Sequence, residues 1–185
     1  LDLSNLSLCT NLLTSINNDR IRARLNLSSS QAIFHQFNIW GVKESTFIHQ
    51  DFEEIKLPPY FFVQPSAFAE NTCLKRLYWA DGDLIGPSAF QNCVSLQRVY
   101  NDKPDDIVTV CRQAFKNCVN LRAIEISSNP GEEAFSGCAK LRSIRFNNRL
   151  VDRVTGTIEK ITELPKGIFY GCEALESIEI PDTVV

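Results

Sequence analysis

Ser88-Ala89-Phe90-Gln91-Asn92-Cys93-Val94-Ser95-Leu96-Gln97-Arg98-Val99 lies in register on Gln113-Ala114-Phe115-Lys116-Asn117-Cys118-Val119-Asn120-Leu121-Arg122-Ala123-Ile124. In both stretches phenylalanine, cysteine, leucine and an aliphatic residue fall at offsets 0, 3, 6 and 9. The same offsets recur in Phe135, Cys138, Leu141 and Ile144, and again in Phe169, Cys172, Leu175 and Ile178. Self-similarity at a fixed short period marks a solenoid, in which each unit has an apolar face that only a stacked neighbour can bury.

Working outward, the copy at Ala67-Phe68 keeps Leu74 and Leu77 but has Asn71 in the cysteine slot, with Cys73 displaced by two. A weaker copy starts at Phe47, one residue short, and runs through Phe52 to Pro58. The spacings between these phenylalanines are 21, 22, 25, 20 and 34 residues, a period of 20 to 25 with one long insertion at residues 147 to 160. Phe34, Phe37 and Ile39 fit the strand part of one more unit, whereas residues 1 to 33 read as an atypical cap or degenerate repeat. Within a unit, Leu-x-x-Ile-x-Ile, as in Leu175 to Ile180, alternates like a short strand with one buried face. The Ala-Phe-x-x-Cys segment before it has a turn-like spacing too short for a full helix. The repeat domain is accordingly placed at residues 34 to 185, about six units, with the last one incomplete.

Composition limits the function classes. The chain has 185 residues, 44% hydrophobic and 22% charged, which is ordinary for a globular protein. Its 19 basic and 22 acidic residues give a net charge of -3, so nucleic acid and anionic membrane are poor partners overall. No apolar run approaches the roughly 20 residues of a membrane span. The chain starts at Leu1 with no basic and apolar leader, and reads as a trimmed piece of a longer product with further repeats to follow. Seven cysteines cannot all pair within one chain, and none forms Cys-x-x-Cys. The four aligned ones, Cys93, Cys118, Cys138 and Cys172, are expected to stack as inert buried thiols. A disulfide among Cys9, Cys73 and Cys111 is the less favoured alternative.

The pattern resembles the BspA-like leucine-rich repeat, in which Ile-Pro-x-x-Val-x-x-Ile-Gly-x-x-Ala-Phe-x-x-Cys-x-x-Leu-x-x-Ile recurs. Ile85-Gly86 precedes Phe90 as that pattern asks, Val110 and Ile107 precede Phe115, and Leu164 and Ile161 precede Phe169. Pro130-Gly131 departs from it, which predicts a broken second strand before Phe135. The resemblance implies an α/β-type solenoid, a curved right-handed stack with a parallel β-sheet on its concave face, mostly strand and loop with little helix. It also implies kinship with surface-exposed binding or adhesion modules of bacteria and some protists.

If the strand alternates, the residues flanking its fourth position face outward: Arg76 and Tyr78, Arg98 and Tyr100, Ala123 and Glu125, Ser143 and Arg145, Ser177 and Glu179. Arg76, Tyr78, Arg98, Tyr100, Glu125 and Arg145 are the candidate binding residues, because tyrosine and arginine combine contact area with a polar handle. The competing reading is a solvated face with no ligand. Insertions at Asn101 to Asp106 and Asn147 to Lys160 both follow the strand and are expected to leave the same edge; Val154 to Ile158 could turn as a hairpin. Asn5 and Asn26 match the glycosylation tripeptide, and Asp81-Gly82-Asp83 offers oxygens but reads better as a turn. His35 and His49 have neither a nucleophile motif nor metal-ligand spacing, so no catalytic set, metal or cofactor is expected. The leading expectation is a non-enzymatic module that binds protein or glycan, on a secreted or cell-surface protein. The alternative is an intracellular protein-interaction scaffold, which unpaired cysteines would suit.

Overall fold

The computed structural model describes residues 40–42, 44–57, 61–79, 84–101, 108–147, 150–151 and 158–185. The cap at 1–33, Phe34, Phe37, Ile39, Cys9, Asn5, Asn26, His35, Asp81-Gly82-Asp83 and most of the insertion after Asn101 lie outside the described residues. Within them the chain is a stack of coils, each giving up to two short strands. Strands β2 (Glu54–Lys56), β4 (Arg76–Trp79), β6 (Arg98–Asn101), β8 (Ala123–Ile126) and β9 (Ser143–Phe146) form a five-stranded sheet in that order. Strands β1 (Trp40–Val42), β3 (Phe61–Val63), β5 (Leu84–Ile85) and β7 (Thr109–Val110) form a second sheet of four. All pairings in both sheets are parallel. No helix occurs among the described residues, where the resemblance led us to expect a little.

The repeat slots explain the core. Phe47, Phe68, Phe90, Phe115, Phe135 and Phe169 make one column of stacked rings, with successive centroids 5.3, 5.3, 5.5, 5.9 and 6.4 Å apart. Four of them, Phe68, Phe90, Phe115 and Phe135, are fully buried. On the outer face of the five-stranded sheet, Tyr78 and Tyr100 come from the same two coils as Phe68 and Phe90. Their centroids are 4.6 Å apart against 5.3 Å in the core. The closer spacing on the sheet side is that expected of the inner side of a curved stack, and the five-stranded sheet is accordingly called the concave one.

The turn around each phenylalanine has a fixed form. The residues two before and two after it take positive φ in each of the six described turns: Ser45 and His49, Ser66 and Glu70, Ser88 and Asn92, Gln113 and Asn117, Glu133 and Gly137, Gly167 and Gly171. This turn sets the backbone N–H groups at those two positions and at the phenylalanine toward the next coil. Ser88, Phe90 and Asn92, for example, donate to Arg112, Ala114 and Lys116 at 3.0, 2.8 and 2.9 Å. Buried backbone donors must be paired, and here the neighbouring coil pairs them where no helix or sheet does. Phe47 shares both the turn and the stack, so its coil is a full member, although Ile55 comes one residue early and pairs with Leu77.

The cysteine slot has a polar task as well as a packing one. The thiols of Cys93, Cys118, Cys138 and Cys172 donate to the carbonyl oxygens of Phe68, Phe90, Phe115 and Phe135 in the preceding coil, at 3.2 to 3.3 Å. Asn71 does the same with its amide, which donates to Phe47 O at 2.7 Å and to its own coil's Phe68 O at 2.7 Å. A compact buried donor is what the slot needs. Replacing Cys118 by alanine should cost about 1 to 3 kcal/mol, because it empties a buried position and removes one of the two donors to Phe90 O, leaving only the Cys93 N–H at 3.2 Å. Urea unfolding of the variant checks this; a stability equal to wild type would mean the bond contributes nothing.

Of two expectations about strands, the first holds and the second does not. Pro130 has no N–H to give, and the second sheet stops at β7 as the departure at Pro130-Gly131 predicts. Side chains substitute there: Val108 N–H donates to Ser127 Oγ at 2.9 Å, and Ser128 Oγ–H donates to Val108 O at 3.0 Å. Leu175 to Ile180, read as a strand, is not one. This coil has a neighbour on one side only within the chain, and the ladder ends at β9. Of the insertions, Asn101 belongs to β6 rather than to a loop. Asn147 leads to an antiparallel pair, β10 (Leu150–Val151) with β11 (Ile158–Glu159), joined as Val151↔Ile158. Val154 to Thr157 lie outside the described residues.

Candidate binding face

Alternation along the concave strands puts Leu77, Trp79, Ile124 and Ile126 inward and leaves their neighbours outward. The register then decides which outward side chains meet. Arg76 pairs with Arg98 and Tyr78 with Tyr100 across β4 and β6, as the spacing predicts. The two phenol rings stack at 4.6 Å and 11°, half-buried and on one face. Arg98 pairs with Ala123 across β6 and β8, and Glu125 with Arg145 across β8 and β9. The six candidate residues thus stand on four adjacent strands of one face, with Arg76, Arg98 and Arg145 exposed. Ser177 and Glu179 are exposed but lie outside any strand.

The structure adds two residues from β2. Glu54 pairs in register with Arg76 and Lys56 with Tyr78. The Glu54 carboxylate accepts from Arg76 Nε at 2.7 Å, and this bond holds its carboxyl below the usual carboxylate range. Lys56 Nζ sits 5.5 Å from the Tyr78 ring centre, so the order along the face is ammonium, phenol, phenol. These two residues escaped the sequence reading because the Phe47 coil is one residue short, which shifts the offsets by which the outward positions are counted. Asn147, which follows β9, donates to Glu125 at 3.3 Å.

Among the described residues, the buried titratable groups elsewhere are thiols. Burial pushes the Cys93 thiol up to about 12 and Cys111 and Cys172 to about 11, and raises Cys118 and Cys138 as well. Cys73 and Cys111 are free thiols, not a disulfide, and Cys9 lies outside the described residues. Only thiolate attacks an electrophile, so iodoacetamide on the folded protein should spare Cys93, Cys118 and Cys138 while denatured protein is labelled at all three. Labelling of Cys118 at the denatured rate would refute its placement. A thiol raised in the folded state stays protonated where the unfolded one ionises, so the stability linked to it is complete below the unfolded pKa. That stability is lost as pH rises from about 9 toward about 12 for Cys93. The melting temperature is expected to fall over that window. Among the described residues, no group of three or more His, Cys, Asp or Glu side chains is placed to hold a metal, and no helix is long and apolar enough to cross a membrane.

No curated protein matches the chain. A leucine rich cell surface protein from Faecalibacterium prausnitzii A2-165 has a solved structure that superposes with a TM-score of 0.50 at 20% identity, covering 74% of this chain. The chain spans 41% of that protein's length, and at this identity the likeness concerns the fold. A BspA type leucine rich repeat region, in 6 copies, is recognised over residues 62–185, the span that holds the phenylalanine column from Phe68 onward and the thiol ladder beneath it. By its repeats and by the stack they build, the chain belongs to the BspA-type leucine-rich repeat family.

Proposed function

We propose that the chain is a non-enzymatic binding and adhesion module of a cell-surface or secreted protein, taking a protein or glycan ligand on its concave sheet and the loops beside it. The observation that carries this reading is the Tyr78–Tyr100 stack standing among Arg76, Arg98 and Lys56 on an open sheet. Two large side chains already held in one geometry lose little further freedom on binding, and so contribute more affinity per area than mobile ones. The surface location of the similar bacterial protein agrees with it. A second reading, an intracellular scaffold, is favoured by one observation: Cys73 and Cys111 are partly exposed and free, as a reducing compartment would keep them.

The test is a glycan array together with a pull-down from surface-protein extracts, using wild type and the Tyr78→Ala, Tyr100→Ala double variant. Any ligand of the concave face should bind the double variant at least about tenfold more weakly, as expected for central aromatic anchors. Equal binding by a double variant that melts like wild type would remove the concave face from consideration.

A further inference from the structure

Charges on the concave sheet are matched at one end and unmatched at the other. On the β2–β4 side every cation has a carboxylate: Lys75 with Glu53 at 3.1 Å, Arg76 with Glu54 at 2.7 Å, Lys56 with Glu54 at 3.5 Å. On the β6–β8–β9 side, Arg98, Arg122, Arg142 and Arg145 are all exposed, and none has a carboxylate partner among the described residues. Arg122 and Arg142 stand where β8 and β9 begin, on coils joined by the Arg142 N–H to Arg122 O bond of 2.9 Å. Arg98 pairs in register with Ala123, the residue after Arg122, and Arg145 lies three residues beyond Arg142. With strands about 4.8 Å apart and about 3.3 Å per residue, the four backbone positions fall within roughly 10 by 10 Å, Arg98 and Arg145 at outward positions of the sheet and Arg122 and Arg142 at its edge.

The nearby carboxylates do not neutralise this patch. Glu125 takes the amide of Asn147 and makes no ion pair with Arg145 opposite it. Glu176 and Glu179 on the last coil are exposed and make none either. Like charges on neighbouring strands repel, so such a cluster destabilises the free protein. A chain with a net charge of -3 and 22 acidic residues keeps it nonetheless, and rules broken without local compensation concentrate at functional sites.

We propose that Arg98, Arg122, Arg142 and Arg145 dock an acidic, extended polypeptide segment of a partner protein, laid across β6, β8 and β9. The proposal rests on the concave sheet being the ligand face and names the ligand's class. Guanidinium forks match carboxylates bidentately, and an extended segment presents side chains of one side about 7 Å apart, so two or three acidic residues fill the patch. A sugar is less well served. Of the four faces of the Tyr78 and Tyr100 rings, two are spent on each other and one lies under Lys56, which leaves one for a pyranose.

Anisotropy of a fluorescein-labelled octapeptide of alternating glutamate and alanine, titrated with the full chain, tests this. Binding is expected at low salt and not for the glutamine version of the peptide. Arg122→Gln with Arg142→Gln should weaken binding at least about tenfold, and raising salt from about 50 to about 500 mM should do the same. Arg112→Gln, which removes a cation paired with Glu132 away from the sheet, should match wild type. Should the first pair fail to fold by circular dichroism, Arg98→Gln with Arg145→Gln carries the same expectation. Peptide binding that the arginine variants leave intact overturns the proposal. So does binding of a heparin hexasaccharide without the glutamate peptide, an outcome that leaves the concave sheet standing as the ligand face. Only indifference of every ligand to the Tyr78→Ala, Tyr100→Ala pair removes that underlying reading.

Discussion

Phe115→Ala is expected to lower stability by about 3 to 5 kcal/mol, the range for emptying a buried aromatic slot. Phe115 is fully buried, stacks on Phe90 at 5.5 Å and Phe135 at 5.9 Å, and takes the edge of Trp79 at 6.0 Å and 72°. The cavity cannot be closed cheaply. Phe115 N–H donates to Ala134 O and Phe115 O accepts the Cys138 thiol, so the backbone around the missing ring is tied to the next coil on both counts. Phe169→Ala makes the internal comparison. Its ring is only partly buried and its stack is looser, 6.4 Å from Phe135, so a smaller loss is expected there. Because stability in a solenoid is close to a sum over neighbouring coils, the Phe115 variant should also show its amide-exchange losses in the adjacent coils first. Denaturant midpoints for the two variants decide the matter: a Phe115→Ala shift within error, or one no larger than that of Phe169→Ala, would sink the proposed register.

That register was legible because phenylalanine and leucine recur at offsets a buried column demands, and a column is all the hydrophobic effect requires. The polar half of the repeat was not. Cys93 and Asn71 look unrelated on any hydropathy scale, and they share a slot because each is a compact donor aimed at the carbonyl of the preceding phenylalanine. The two left-handed positions of each turn are disguised in the same way, since serine, histidine, glutamine, glutamate and asparagine occupy them and only Gly137, Gly167 and Gly171 advertise the conformation. On the binding face, period-two alternation was enough to foresee Tyr78 beside Tyr100. It could not foresee which cations are neutralised. That depends on Glu53 and Glu54 arriving from a coil whose spacing is off by one, and on Asn147 drawing Glu125 aside.

Gly131→Ala is expected to cost about 2 to 4 kcal/mol, the range for forcing atoms into a packed interior with some backbone shift. A Cβ on Gly131 would lie 2.1 Å from Arg112 N and 2.4 Å from Cys111 C, both backbone atoms of the preceding coil. Neither atom belongs to a side chain that could swing away. The two coils are held at that distance by the Gly131 N–H to Val110 O bond of 2.8 Å, so relief of the clash lengthens or breaks a buried bond. The corresponding position one coil earlier is Cys111, whose N–H still reaches Ile85 O at 2.9 Å, so a coil geometry that accepts a Cβ exists in this fold. The Gly131 coil must move toward it, which is why destabilisation rather than loss of the fold is expected. Gly171→Ala separates sterics from backbone preference. Its φ is +73°, but the nearest atom to a new Cβ is 3.5 Å away, so only the left-handed penalty of about 1 kcal/mol applies. Thermal melts of the two variants should therefore differ clearly, with Gly131→Ala the lower. Equal melting temperatures would mean that the neighbouring coil yields to the added methyl, and that the close approach at Gly131 does not hold the stack together.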